Sequence, residues 1–365
     1  MTAPADRAAT VRHGLAPLAP FIAAPEVTEI CANGPGRVFL FANGAWSERP
    51  VPEMTEARLL LLASAAAAWS SNPFGPESPI LSATLPGGLR AQFVRPPAVA
   101  AGTLSLTIRK PALSLLTLRD YEAGPFFADA PAPGEGPGEA ELARHFARFR
   151  DPDPQVRAAA RGAFLRAAVR ERRNIVIAGE TGSGKTTFMK ALMREIPETE
   201  RILTIEDVPE LRFGLPRHRN QANLFYPSEA RDGDPVTAAS LLRSALRMKP
   251  DRILIAELRG GETFDFLTAC LSGHGGSITS CHAGSCAEAI DCLVLRALQS
   301  EAGSRLPEPA LRRLVLLASE IVVHVTARGG ARRADEISWN RKPSLAGAHR
   351  PERETESVHS LSPNL

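Results

Sequence analysis

Residues 179–186 read Gly-Glu-Thr-Gly-Ser-Gly-Lys-Thr, a spacing suited to wrapping the backbone around an anion. Gly179, Gly182 and Gly184 let successive N–H groups turn inward, and the helix expected to follow adds the positive end of its dipole. Lys185 then reaches the β- and γ-phosphates of a nucleoside triphosphate, and the Thr186 hydroxyl is a ligand for magnesium. Glu180, Thr181, Ser183 and Thr187 complete the candidate nucleotide contacts. The apolar run 174–178 before the loop reads as a buried strand, and strand, loop and helix together give the pattern its mechanical meaning.

Three further stretches carry candidate chemistry. Residues 252–257, Arg-Ile-Leu-Ile-Ala-Glu, end a buried strand on Glu257, which is placed to orient water in line with the γ-phosphate and to share a magnesium ion. Glu206 and Asp207 follow another strand and either hold magnesium through water or cap their own loop. A glycine-dense loop with His274 runs into a strand that ends at His282, which can touch phosphate or report nucleotide state. His274 and His282 have no third ligand nearby, which argues against a metal pair. Arg259 and Glu262 follow Glu257 closely enough to join a polar network. His324, on an apolar strand, reads as a core residue.

The elements that position these groups fall into two regions. Strands are expected at 27–31, 37–41, 80–85, 90–95 and 103–108, with a helix at 55–69, making 21–128 a small α+β domain. Residues 1–20 read as a flexible Ala/Pro-rich arm and 129–150 as a linker, with helices at 139–150 and 155–173. From 151 to 328 strands at 174–178, 201–205, 252–256, 276–280 and 321–326 alternate with helices, the rhythm of an α/β fold with a mostly parallel sheet. Ligands of such sheets sit at the carboxyl ends of the strands. Residues 329–365 turn polar and read as a disordered tail. Arg90, Arg95 and Arg109 lie in or beside strands of the first domain, either on the surface or covering a nucleotide held between the domains.

Composition excludes several classes. The 365 residues carry a net charge of only +3, which gives no general case for nucleic-acid binding. Five cysteines without a Cys-x-x-Cys pair fit a reducing cytoplasm rather than a zinc ribbon or disulfide framework. No apolar stretch of about 20 residues is present to span a membrane, and the first residues lack the pattern of a signal peptide.

With those motifs in order, the chain resembles the VirB11-type ATPases of type IV secretion and conjugation systems, within the wider class of secretion and pilus-motor ATPases. The resemblance runs from Val27 to Thr326. It rests on the phosphate loop, the acid-rich stretch 204–211, the stretch 247–259 and the histidine box 272–285, with 28–36 and 107–111 in the first domain. It implies a RecA-like domain behind an α+β domain, ATP and Mg2+ as cofactors, and a homo-hexameric ring. The ring would sit at the cytoplasmic face of the inner membrane, attached peripherally through other secretion components. It further implies that Lys185 and Thr186 bind triphosphate and magnesium, that Glu257 is catalytic and that His282 senses phosphate. Arg109, in Ile-Arg-Lys-Pro, and then Arg90 would reach the phosphates from the first domain, so that the loop forms one wall of an interdomain clamp. The sequence departs from the family at Ala256, at Gly275 and at Cys281, where Gly, Pro and a residue other than cysteine are usual. A pilus-assembly or type II-like motor shares the same core, and a slowly hydrolysing nucleotide-gated adaptor is the alternative outside the motor class.

Overall fold

The structure, a computed structural model, describes residues 4–112, 117–123, 137–231, 233–328 and 331–340. In chain order the first half holds α1 (Pro4–Leu15), α2 (Ala19–Ala23), β1 (Val27–Ala32), β2 (Arg37–Ala42), β3 (Ala45–Pro50), α3 (Glu56–Ser70), β4 (Ile80–Thr84), β5 (Arg90–Val94), β6 (Ser105–Arg109) and α4 (Leu118–Ala123). The second half holds α5 (Pro137–Ala147), α6 (Pro154–Arg170), β7 (Ile175–Ala178), α7 (Lys185–Met193), β8 (Ile202–Glu206), β9 (Gln221–Phe225), α8 (Ala238–Ala245), β10 (Arg252–Ile255), α9 (Glu262–Leu271), β11 (Ile278–Cys281), α10 (Cys286–Ala297), α11 (Glu301–Ser304), α12 (Glu308–Ala318), β12 (Ile321–Arg328) and β13 (Ala331–Trp339).

The first domain is an antiparallel sheet in the order β3-β2-β1-β6-β5-β4. Its core gathers Ile30, Val38, Phe93 and Leu106 with Leu59 and Leu62 of α3. Thr55 caps α3 by accepting the Arg58 N–H, which satisfies one of the free donors of the first turn. The second domain is a seven-stranded sheet in the order β13-β12-β7-β11-β10-β8-β9, parallel except for β13. Strands β7, β8, β10 and β11 are buried on both faces, as crossover helices require. Along β7, Ile175 and Ile177 face α6 and α7 through Phe164 and Met189. Val176 and Ala178 face the opposite layer, with Leu241 of α8, Phe266 of α9 and Leu293 of α10. The expected α/β architecture behind an α+β domain is therefore the observed one.

Two boundary expectations change, and a third holds. Residues 4–15 of the supposed arm are helical, and Val11, Leu15 and Leu18 are buried in the first core. Their helical spacing is masked by the surrounding alanine and proline, and α3 supplies the apolar face that holds them. Within 129–150 the helix expected at 139–150 is present, running from Pro137, with Leu142 of α5 buried beside α6, while residues 129–136 lie outside the described residues. In the supposed tail, residues 331–339 form β13, paired along the whole of β12. Charged side chains are tolerated there because this is an edge strand, and Trp339 packs on Phe146 and Phe164. Residues 1–3 and 341–365 lie outside the described residues.

The two domains meet through Arg201, which is fully buried just before β8. Its guanidinium donates to Asn33 Oδ1 at 2.8 Å, to Asn220 Oδ1 at 2.5 Å and to the Met248 carbonyl at 2.9 Å, and it lies over the Trp46 ring. Trp46 Nε1 donates to Asp251 and Gln92 Nε2 to Ser244, while the Phe225 N–H donates to the Ala98 carbonyl. Sequence reading gave Arg201 no role beyond opening a strand.

Candidate active site

Four strand ends bring the motif residues together. Gly179 follows Ala178 of β7, Asp207 follows Glu206 of β8, Glu257 lies two residues past β10, and His282 follows Cys281 of β11. Because β7, β8, β10 and β11 run parallel, all four groups stand at one edge of the sheet. The phosphate loop is seated against β12: a Cβ on Gly179 would lie 2.4 Å from the Val325 carbonyl oxygen, so only glycine fits. Gly182 and Gly184 adopt φ of +79° and +94°, the left-handed region that opens the nest of N–H groups.

Lys185 opens α7 with its side chain turned back over the loop. Its Nζ donates to the Gly179 carbonyl at 2.8 Å and the Glu180 carbonyl at 2.9 Å, and stands 3.4 Å from His282 Nδ1. Burial lowers its pKa from the usual lysine value, and the Glu257 carboxylate acts against that shift. The other ring nitrogen of His282, Nε2, lies 2.7 Å from Glu257 Oε1. That approach is off the hydrogen-bond axis and leaves Oε1 without a hydrogen-bond partner. The other oxygen, Oε2, accepts from Arg259 Nε at 3.0 Å. Arg259 also donates to Asp207 Oδ2 at 2.6 Å, while Glu262 caps the turn by accepting from the Arg259 and Gly260 amides. Lys185, His282, Glu257, Arg259 and Asp207 thus form one connected chain, and the network expected of Arg259 and Glu262 is present.

Glu206 and Asp207 divide their tasks. Glu206 is fully buried; its Oε2 accepts the Glu210 and Leu211 amides, and Oε1 has no partner. Burial raises its pKa above the ordinary carboxylate value despite those amides. Burial pushes Asp207 the same way, but the Arg259 hydrogen bond and charge outweigh it and hold the carboxyl below its ordinary value. A depressed folded-state pKa makes the pair's stabilisation complete above the unfolded pKa of 3.8 and lost as pH falls through the lower folded value. Replacing Asp207 with Asn is therefore expected to flatten the fall in stability below about pH 4, read from denaturation midpoints against pH. An unchanged slope would show that the pair contributes nothing.

Glu180 and Thr181 are exposed on the loop, Thr186 is half-buried and Thr187 exposed in the first turn of α7, and Ser183 is buried with an unpartnered hydroxyl. These open groups and the oxygens of Glu206 and Glu257 that lack a hydrogen bond suit a phosphate chain and a hydrated cation. No group of three or more His, Cys, Asp or Glu side chains able to hold a metal occurs among the described residues.

Arg90 and Arg109 are not brought to this edge within the chain. They are partners in register on β5 and β6, and Arg109 lies 3.8 Å from Glu29. With Arg247, Lys249 and His274 they line a cavity of about 410 Å³. Lys249 and His274 precede β10 and β11, so this cavity lies at the amino-terminal edge of the sheet, a strand length away from the loop. The same separation keeps His274 from His282. Arg95 stacks over Phe74. A nucleotide clamp between the two domains of one chain is thus not what these arginines form.

Fold and site define a P-loop nucleoside triphosphatase, with Glu257 and His282 at the ends of the neighbouring parallel strands β10 and β11 beside the loop. The family model for "Type II/IV secretion system protein" matches residues 153–327. Over 355 residues the chain is 47% identical to the type IV secretion system protein VirB11 of Brucella suis, covering 94% of both chains. It is 45% identical to PtlH of Bordetella pertussis over 344 residues, 92% of this chain and 96% of the relative. The crystal structure of the VirB11 ATPase of Brucella suis, in complex with sulphate, superposes with a TM-score of 0.85 over 92% of this chain and 96% of that one. The chain belongs to the VirB11 family of type IV secretion ATPases, and it is an ATP hydrolase. No helix among the described residues is long and apolar enough to cross a membrane.

Proposed function

We propose that ATP binds along the loop Gly179–Thr187 and that its hydrolysis drives a ring of these chains, most simply a hexamer, at the cytoplasmic face of a type IV secretion complex. The single observation that carries the chemistry is the contact chain Lys185–His282–Glu257 at one sheet edge. A γ-phosphate competes with the Gly179 and Glu180 carbonyls for Lys185. Drawing Lys185 away removes the donor to His282 Nδ1, so β11 registers the phosphate through this ring. Glu257, with Oε2 fixed by Arg259 and Oε1 beside His282 Nε2 but without a hydrogen bond, holds the attacking water and takes its proton. Thr186, with Glu206 and Asp207 through water, is the group of residues suited to magnesium, which when bound neutralises charge on the phosphate oxygens.

The position of Arg90 and Arg109 supports a ring reading of these two residues. They sit far from their own phosphate loop, in a cavity they share with Arg247 and Lys249, so we assign them to the nucleotide of a neighbouring copy. Subunit mixing tests this. Lys185→Ala is expected to abolish ATP binding and turnover, and Arg109→Ala to lower turnover strongly. If Arg109 acts across the interface, mixed rings recover part of the activity, since some sites combine two intact halves. Absence of recovery, or a monomer by light scattering with and without ATP, would overturn the ring assignment.

A further inference from the structure

We propose that Arg332, on the edge strand β13, is a nucleotide-binding residue that pairs with the α-phosphate end of the bound triphosphate. The inference rests on ATP occupying the loop Gly179–Thr187, and assigns the wall of that site opposite Glu257.

The side chain of Arg332 lies on the loop itself. A Cβ built on Gly184 would stand 2.9 Å from Arg332 Cδ, 3.1 Å from its Nε and 3.5 Å from its Cζ. Gly184 is the residue from which α7 starts, at φ +94°, in the middle of the N–H nest. The guanidinium therefore hangs at the rim of the nest, where it can add a planar fork of donors to the backbone amides. Among the described residues Arg332 makes no ion pair and no hydrogen bond, in a protein whose other site arginine, Arg259, holds two carboxylates.

Sheet order decides which phosphate it meets. β13 and β12 lie on one side of β7, and β11 and β10, which carry His282 and Glu257, lie on the other. The γ-phosphate must point toward Glu257 for in-line attack, so the α-phosphate and nucleoside point toward β12 and β13. Arg332 pairs in register with Ala327 next to the hairpin end, while the seat of Gly179 against Val325 fixes that hairpin to the loop. A guanidinium on the ground-state side of the triphosphate, away from the reacting bond, contributes to ATP and ADP alike and not selectively to the transition state.

The test uses the full chain and measures the dissociation constants of ATP, ADP and inorganic tripolyphosphate by calorimetry, with turnover kinetics beside them. Arg332→Gln is expected to weaken all three ligands by about tenfold and raise KM similarly, with kcat within about twofold of wild type. Arg332→Lys should recover part of the loss, and Arg333→Gln, whose side chain alternates to the other face of the strand, should bind as wild type. Equal thermal midpoints for the variants would exclude a folding effect. Unchanged affinities in Arg332→Gln, a loss of kcat at constant KM, or a loss confined to ATP and ADP with tripolyphosphate unaffected would each overturn the phosphate contact. If wild type itself bound none of the three ligands, the failure would belong to the nucleotide site and not to Arg332.

Discussion

Glu257→Gln is expected to lower the turnover number for ATP by about 10²–10⁴-fold while leaving ATP affinity within about threefold of wild type. The amide keeps the shape of the side chain and can still accept from Arg259 through one oxygen. It cannot take a proton from water, and it turns an NH₂ group toward His282, where Oε1 now stands without a hydrogen bond. Burial of Glu257 beside Lys185 means that the carboxylate also supplies part of the charge that opposes desolvation of the lysine. Removing that charge while adding no bulk lets ATP bind more easily or equally well, which separates binding from chemistry. Single-turnover hydrolysis of bound ATP is the deciding measurement. A rate within threefold of wild type would remove Glu257 from the role of base, and a parallel loss of binding would make it a structural residue of the loop.

Arg201→Met is expected to destabilise the protein by about 3–5 kcal/mol, the range for breaking a buried charge network by removing one member. Burial lowers the pKa of Arg201, and Asp251 opposes that shift, so the guanidinium is held charged in the interior by its partners. Methionine fills similar volume but leaves the Asn33 and Asn220 oxygens and the Met248 carbonyl without their donor. Asp251 retains the Trp46 indole and the Arg201 backbone amide, yet loses the nearby positive charge. Asn33 and Trp46 belong to the first domain and Asn220, Met248 and Asp251 to the second, so the loss falls on the junction. Chemical denaturation followed by tryptophan fluorescence and by far-ultraviolet circular dichroism should then show transitions that no longer coincide. Coincident transitions at the wild-type midpoint would show that the junction does not depend on this residue.

The nucleotide loop was legible because its chemistry is local. Eight consecutive residues set the turn, the N–H nest and the lysine, and the apolar run before them sets the strand. The order of the four motifs was legible for the same reason, since each lies at a strand end that hydrophobic patterning marks. Residues 4–18 and 331–339 were misread because alanine, proline and charge hide elements whose stability comes from a partner. α1 needs the face of α3, and β13 needs the backbone of β12. Propensity alone cannot report a partner that is 45 residues away in one case and across a hairpin in the other.

What the sequence by itself determined is a phosphate loop, a carboxylate and a histidine, each just past the end of a strand of a mostly parallel sheet. Tertiary structure alone decided how these groups connect and which arginines serve them. Parallel strands have two edges, and a linear pattern does not say which edge a neighbouring domain covers. The first domain docks by Arg201 at the amino-terminal edge, which carries Arg90 and Arg109 away from their own loop. Chain reversal at the β12–β13 hairpin brings Arg332, 148 positions beyond Gly184 in sequence, onto the rim of the nest. The loop remains the nucleotide site that its glycines announce, but its second wall is this edge strand, because strand order and not sequence distance sets what stands beside a bound phosphate.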